Sequence, residues 1–574
     1  MENKILSKEI GKKLVLLANE SLCRGAIESG VDFVSTYPGT PASEIGNTFW
    51  QIKEDLKKIN SNFHFEFSTN EKVALEAGAG AAFSGLKSLV AFKHFGLNVA
   101  SDFLCTLMYS GIEGSMVIFV ADDPSCWSSA QSEQNSRFYS LMAHIPTLEP
   151  STPQEFKDFT KFAFKLSEKF KIPIMLRSTT RASHQSGPVI LEKIPDFKSK
   201  FPKFIKNPKK FSTMPPRVLE MKKELLEKIE TIKRESEKSN LNKIIYGKNK
   251  SKEKFGIVTS GVSFLYTMEA LEKLNLKLPV LKLGFVYPLP ARKILNFLKK
   301  LKKVLIVEEL EPYLEREIAI LAQKANLKVE ILGKGEKIEG GRIWRERKAI
   351  LPQIGELKPE YVEIAISKLL NKKLFFNYQL HLKQFEKIKI PPRPPILCPA
   401  CQYWAVINSI KKIANLQEII FGGEIGCYML FSHKVINLQD YLYCMGSSVS
   451  IAHGISKATE QKVIAFVGDS SFFHAGIPAL INAVFNQSNP LIIILENQTT
   501  AMTGHQPHPG VGDGQAIKIE EIVRACGIKN VKVVDQVENP KELEDAIKEF
   551  LEKKEPSVII ARHICTLLEK KKKT

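Results

Sequence analysis

The chain has 574 residues and a formal net charge of +20, with apolar residues making up 44%. That length exceeds a single core and implies several domains, and no apolar run is long enough to span a bilayer. The excess charge is mostly lysine scattered through helices and linkers, without the aromatic-studded basic stripe of a nucleic-acid binder. The charged start, "MENKILSKEIGKK", lacks the apolar core of a secretion signal, so the expectation is a cytoplasmic protein whose nine cysteines are thiols or metal ligands rather than disulfides.

In chain order, residues 1–195 alternate helices with short apolar strands. "ANESLCRGAIESG" and the small-residue stretch "NEKVALEAGAGAAFSG" predict helices; "VDFVSTYP", "KSLVAFKH", "SMVIFVADDP" and "IPIMLRS" predict buried strands. Such alternation indicates a doubly wound parallel sheet. Residues 196–253 are Lys-rich and read as a connector around one helix, "RVLEMKKELLEKIETIKRES". Residues 254–350 form a second α/β unit, residues 351–394 a linker ending in "IPPRPP", residues 395–567 a third α/β unit, and 568–574 a basic tail.

The third unit carries the strongest chemical signal. In "KVIAFVGDSSFFHAGIPALINAVFNQSNPLIIILENQTTAMTG" one strand ends at Gly468-Asp469 and a second at Glu496-Asn497. If the two strands are parallel neighbours, Asp469 and Asn497 share the carboxyl edge, where ligands of open α/β sheets bind. A hard divalent cation such as Mg2+ takes oxygen ligands and bridges to a diphosphate, and the helix after Asp469 offers its amino end to phosphate. The spacing is that of the thiamine-diphosphate motif, with Ser470 where a second glycine is usual. A chance strand-turn-helix would not also bring the Gly-rich loop "TAMTGHQPHPGVGDG".

Together with "YPGTPASEI" and "NEKVALEAGAGAAFSGLKSLVAFKHFGLNVASD", this stretch resembles the alpha subunits of indolepyruvate:ferredoxin oxidoreductases. These are a branch of the thiamine-diphosphate-dependent 2-oxoacid:ferredoxin oxidoreductases, and the resemblance runs from about residue 12 to 567. It implies a pyrimidine-binding domain, a transketolase-C-like domain and a diphosphate-binding domain in that order. It also implies oxidative decarboxylation of an aryl or branched 2-oxoacid to acyl-CoA, with ferredoxin as electron acceptor, in a complex with a small beta subunit, usually α2β2. A non-oxidative thiamine-dependent decarboxylase and a catalytically silent scaffold subunit are the rival expectations.

Residue by residue, the resemblance points to Glu71 as the acid beside the cofactor's aminopyrimidine; Glu76, five positions on, would face elsewhere. An acid favoured at a helix start by the dipole is the plainer account of Glu71. Thr40 in "YPGTP" is a candidate donor to the 2-oxoacid, or part of a rigid Pro/Gly turn. Asp469, Asn497 and the Thr499 carbonyl are the implied Mg2+ ligands. Gly468, Ser470 and Thr503 are the implied cofactor contacts, and His474 and His505 lie in the same loops. "DDPSCWSSAQSEQNSR" resembles a second active-site loop whose residues have no assigned roles.

In the superfamily a CPxC pair, a "GIGC" turn and a late cysteine hold a [4Fe–4S] cluster. Here "CPAC", "GEIGC" and "ARHIC" supply Cys398, Cys401, Cys427 and Cys565. Buried thiols of no special role are the alternative, and that is the reading for Cys23, Cys105, Cys126, Cys444 and Cys526. Two departures stand out. Gln402-Tyr403-Trp404 follows the pair where Pro-His-Arg is usual, and the chain ends in "EKKKKT" where relatives continue into a ferredoxin-like domain. The expectation is that electrons leave through a separate ferredoxin-like subunit or to soluble ferredoxin, with the basic tail either docking an acidic carrier or simply solvated.

Overall fold

The computed structural model describes residues 4–197, 202–245, 254–335, 338–340, 343–345, 349–374, 376–391, 393–413, 416–512 and 514–573. It divides into two compact units, Met1–Glu66 with Glu71–Lys389, and Phe67–Asn70 with Ile390–Thr574. Both are α/β with predominantly parallel sheets.

The first unit contains a seven-stranded sheet in the order Phe285–Tyr287, Thr147–Leu148, Ile174–Thr179, Ser115–Asp122, Lys87–Lys93, Phe33–Thr36, His64–Phe67. Its central pairs are parallel. Every residue of Ser115–Asp122 is buried, as expected for a strand covered by helices on both faces. The helix Glu71–Phe83 lies close on this sheet because its residues are small: a Cβ at Gly78 would stand 2.5 Å from Val90 Cγ2.

A five-stranded sheet follows in the same unit. Glu330–Leu332, Lys303–Val307, Phe255–Ser260 and Val280–Leu283 run parallel, and Lys243–Ile245 closes one edge antiparallel. Strand Phe285–Tyr287 leaves this region to pair antiparallel with Thr147–Leu148 of the larger sheet. Buried ion pairs also join the two sheets. Arg137 reaches Glu308 Oε2 at 2.6 Å and Glu149 Oε1 at 3.0 Å, and Arg177 pairs with Asp122 at 2.7 Å and with Glu149.

The Lys-rich connector contributes structure to this unit. Its helix Arg217–Lys238 buries Met221, Leu225, Ile229 and Ile232, and its strand Lys243–Ile245 is the antiparallel edge just described. The 351–394 stretch likewise holds more than linker. Helix Pro359–Leu370 sends Val362, Ala365 and Ile366 into the first unit's core, a periodicity that its short length and flanking lysines conceal in sequence.

The second unit has one six-stranded parallel sheet in the order Tyr441–Leu442, Ile419–Gly423, Lys462–Gly468, Leu491–Glu496, Ser557–Arg562, Asn530–Val534. Successive side chains of its central strands enter different cores. Ile464, Phe466, Ile493 and Leu495 join one cluster, and Val463, Ala465, Val467, Ile492 and Ile494 the other. Period-two alternation with both faces covered makes these strands read as unbroken apolar runs. Helix Thr566–Lys573 ends the described chain. Among the described residues no helix is long and apolar enough to cross a membrane.

Candidate active site

In the first unit the site is built at the carboxyl edge of the seven-stranded sheet. The Thr36 strand leaves into the loop holding Thr40, which is half-buried. Asn19 pins that loop from behind, donating to the Pro41 carbonyl at 2.9 Å and to Glu44 Oε2 at 2.8 Å. Glu71 opens its helix and is buried at 6% exposure, whereas Glu76 is half-buried and 3.9 Å from Lys72. The two glutamates therefore occupy different environments, as helical geometry requires of a five-residue spacing.

Glu71 packs against the backbone of Gly96 in helix His94–Ser110. A Cβ there would stand 2.4 Å from Glu71 Cγ and 2.9 Å from Oε1. Gly96 was not singled out in sequence, although a glycine in the first turn of a helix, where it costs stability, was the available signal.

The second unit's edge is organised by Asp469. Its Oδ1 accepts from Ser470 N at 2.8 Å, and its Oδ2 accepts from Asn497 N at 3.0 Å and Gln498 N at 2.9 Å. The adjacency of strands Lys462–Gly468 and Leu491–Glu496 makes this possible. Asn497 Oδ1 accepts from Thr499 N at 3.1 Å, and Ser470 Oγ accepts from Thr500 Oγ1 at 3.2 Å. The chain after Asp469 opens into a π-helical stretch, Phe472–Gly476, that includes the buried His474; such stretches recur at functional sites. Thr503 Oγ1 closes its own turn on Gln506 Oε1 at 2.7 Å.

Three residues of this edge were not singled out from sequence. His508 Nε2 lies 3.1 Å from Asp469 Oδ2, both side chains being 4% exposed. Tyr428 Oη donates to Glu424 Oε1 at 2.8 Å and accepts from Gly468 N at 2.9 Å, tying the end of one strand to the end of its neighbour. Burial pushes the Glu424 carboxyl up to about 7. The visible signal was an acid directly after a strand ending in Gly-Gly.

The cysteines divide in two. Cys427 follows the Ile419–Gly423 strand, Cys565 follows the Ser557–Arg562 strand, and Cys398 and Cys401 precede the helix Tyr403–Lys411. Thr566 Oγ1 donates to the Ala400 carbonyl at 2.9 Å, joining the Cys565 turn to the Cys398–Cys401 turn. Burial raises the Cys401 thiol to about 11 and the Cys427 thiol to about 12. Mutual charge adds to both shifts: Cys398 and Cys565 act on Cys401, and all three of the others act on Cys427.

Cys401 and Cys427 thus feel the other cysteines of the group electrostatically, and His505 Nε2 is 3.8 Å from Cys565 Sγ. Cys23 is instead buried beneath the Ile45 carbonyl, and among the described residues no cysteine acts on Cys105, Cys126 or Cys526. Tyr403 is a core residue at 2% exposure, edge-on to Phe431.

The donors suit the expected groups. Mg2+ beside a diphosphate uses one or two protein oxygens together with phosphates and water, and the Asp469 carboxylate and the Asn497 amide oxygen are donors of that kind following adjacent strands. Four thiols from three segments match the donor set of an iron–sulfur cluster. Among the described residues, no three His, Cys, Asp or Glu side chains are gathered as closely as the ligands of a bound metal.

Three family models match the chain: "Pyruvate flavodoxin/ferredoxin oxidoreductase, thiamine diP-bdg" over 24–250, "Indolepyruvate oxidoreductase domain" over 243–386, and "Thiamine pyrophosphate enzyme, C-terminal TPP binding domain" over 424–561. The indolepyruvate oxidoreductase subunit IorA of Methanothermobacter marburgensis is 43% identical over 98% of this chain and 89% of its own length. The chain belongs to the IorA family. The IorA of Archaeoglobus fulgidus is 40% identical over 99% of this chain and 89% of its own, and that of Thermococcus kodakarensis 39% over 98% and 87%. A solved 2-oxoglutarate:ferredoxin oxidoreductase from Magnetococcus marinus aligns over 62% of this chain and 65% of its own, with a TM-score of 0.48 and 15% identity. That likeness is distant, and nothing further follows from it. Membership of the IorA family agrees with the resemblance read from the motifs, and the thiamine-binding models cover both the Glu71 and the Asp469 regions.

Proposed function

We propose that this chain is the thiamine-diphosphate-binding subunit of an oxidoreductase that decarboxylates an aryl 2-oxoacid, of the indolepyruvate kind, to its acyl-CoA and passes the electrons to ferredoxin. The observation that carries the reading is near-full-length identity to IorA subunits, joined to an Asp469–Asn497 pair on adjacent strand ends. In this reading Asp469, Asn497 and the Thr499 carbonyl hold Mg2+, while Gly468, Ser470 and Thr503 border the diphosphate. Glu71 holds a proton at the aminopyrimidine, and Thr40 donates to the substrate. Thiamine diphosphate, when bound, supplies the electron sink for loss of carbon dioxide. The close fit of Glu71 against Gly96 fixes the acid and keeps water from it.

The four thiols Cys398, Cys401, Cys427 and Cys565 would hold an iron–sulfur cluster. Such a cluster would favour the oxidative reaction, because a non-oxidative decarboxylase has no use for it. A partner subunit, a ferredoxin and coenzyme A complete the reaction.

The test is to purify the chain anaerobically with its partner subunit and follow ferredoxin reduction with indolepyruvate and coenzyme A. The expected result is turnover that requires thiamine diphosphate, Mg2+ and coenzyme A, in iron-containing protein. Aldehyde release from iron-free protein without coenzyme A would replace this reading by the decarboxylase.

A further inference from the structure

The loop "DDPSCWSSAQSEQNSR" has no role in the account above, yet it encloses a lysine at the carboxyl edge of the first unit's sheet. Lys93 ends the strand Lys87–Lys93, between the strands that lead to Thr40 and to Asp122. Its Nζ donates to the Ser128 carbonyl at 3.1 Å and to Ser129 Oγ at 2.7 Å. Those two serines are themselves held. Ser128 N and Ser129 Oγ donate to Asp123 Oδ2 at 2.8 and 2.7 Å, and Thr180 Oγ1 donates to Asp123 Oδ1 at 2.6 Å. The ammonium is therefore fixed in a built cradle, with two of its three N–H donors given to neutral oxygens.

The stem of Lys93 lies along the loop that holds Thr40, since a Cβ at Gly39 would stand 3.0 Å from Lys93 Cγ and Cδ. Glu71 lies near enough for its charge to act on Lys93, as do Asp123 and Cys126. Desolvation lowers the ammonium to about 8 against the pull of these neighbours. A positive charge with neutral hydrogen-bond partners, beside the Phe95 ring at 4.9 Å, with its stem along the Gly39 side of the Thr40 loop and the candidate acid acting on its charge, is a receptor for an anion. The small anion required beside Glu71 is the carboxylate of the substrate. The phosphates of the diphosphate cofactor belong with Asp469.

We propose that the Lys93 ammonium binds the carboxylate of the 2-oxoacid, held for that purpose by Ser128, Ser129 and Asp123; this rests on the reaction proposed above. The pairing holds the carboxylate equally in the bound substrate and in the steps before carbon dioxide leaves, so it is uniform binding, and its signature is a change in KM with kcat little altered.

The experiment uses the full chain with its partner subunit, loaded with thiamine diphosphate, and compares wild type with Lys93→Met and Lys93→Arg. For Lys93→Met the KM for indolepyruvate is expected to rise by roughly 30- to 100-fold, the loss typical of removing one partner of a largely desolvated charge pair. The kcat should stay within about threefold, the KM for coenzyme A and the Kd for thiamine diphosphate should not move, and Lys93→Arg should restore most of the binding.

Indole-3-acetate should inhibit the wild type better than its methyl ester does, and the Lys93→Met enzyme should lose that preference. An unchanged KM in an active Lys93→Met enzyme overturns the proposal. A matching rise in the KM for coenzyme A or the Kd for thiamine diphosphate also overturns it. If Lys93→Met does not fold, a wild type that binds acid and ester equally well overturns it too. A wild type that turns over no 2-oxoacid overturns this inference together with the reaction on which it rests, and is recognised before any variant is made.

Discussion

The two parallel sheets present their carboxyl edges in different chemical styles. The first unit's edge is built from side-chain charge: Asp122 with Arg177, Asp123 with Thr180 and the serines that hold Lys93, and Glu71 seated against a glycine. The second unit's edge leans more on backbone: three amide N–H groups converge on Asp469 and another on Asn497, beside the His508–Asp469 and Arg562–Glu496 contacts. Under the proposed function, the carboxyl edge of one parallel sheet would serve acid–base chemistry and anion binding, and that of the other would hold the metal and the phosphates. Topology places the edge, and the loops decide its chemistry.

The largest effect should come from removing the acid of the first edge. Glu71→Gln keeps the shape and loses the proton, so kcat should fall by about 10³-fold. Thiamine diphosphate binding, whose diphosphate and metal this reading assigns to the second edge, should persist, as measured by calorimetry. A variant that still turns over at the wild-type rate would reduce Glu71 to a helix-start acid and leave the first edge without its central role.

The second edge is tested next, through Cys427→Ser with Cys526→Ser as its control. Cys427 is acted on by three other cysteines, and Cys526 by none. Cys427→Ser should lose the visible absorbance and iron of anaerobically purified protein and with them ferredoxin reduction, while Cys526→Ser should keep all three. Equal iron in both would reduce the cysteine group to ordinary thiols.

A subtler break of the first edge leaves Glu71 in place and moves it. The Cβ of Gly96→Ala would collide with Glu71 Cγ at 2.4 Å and with Phe92 Cβ at 2.9 Å. A displacement of the acid by about an ångström should lower kcat by roughly 10²-fold. The strain should cost about 1–3 kcal/mol of stability in urea unfolding. Loss of stability without loss of activity would mean that the fit serves packing alone.

Much of both edges was legible beforehand, for identifiable reasons. The strands announced themselves because a strand buried on both faces is an unbroken apolar run, as "VIAFVG" and "LIIILE" are. Asp469 and Asn497 followed from the strand ends. The residues that sequence did not reveal act through contacts between distant segments. Gly96 matters because of what Glu71 does 25 positions earlier, Tyr428 because its hydroxyl meets Gly468, and His508 because its loop folds back onto Asp469. The helix Pro359–Leu370 was hidden for the related reason that its apolar face is recognisable only with its partner helix Ser263–Lys273 beside it.

The smallest predicted effect concerns Glu424, a fully buried acid of the second edge. Desolvation lifts its carboxyl from an ordinary 4.5 to about 7, against the hydrogen bond from Tyr428. The folded protein therefore binds a proton that the unfolded chain has released once pH exceeds 4.5. Between those two values the folded state holds more protons, so stability falls as pH rises, by at most about 1.4 kcal/mol per pH unit for one group. Above 7 the loss is complete and the slope vanishes. Amide exchange in strand Ile419–Gly423 isolates this local stability from that of the rest of the chain. Protection there should decline from pH 5 to 7 after correction for the intrinsic rate, and Glu424→Gln, which mimics the neutral acid, should flatten the decline. A slope that survives the substitution would assign the proton to another group of this edge and would leave Glu424 ionised, held by the Tyr428 hydroxyl.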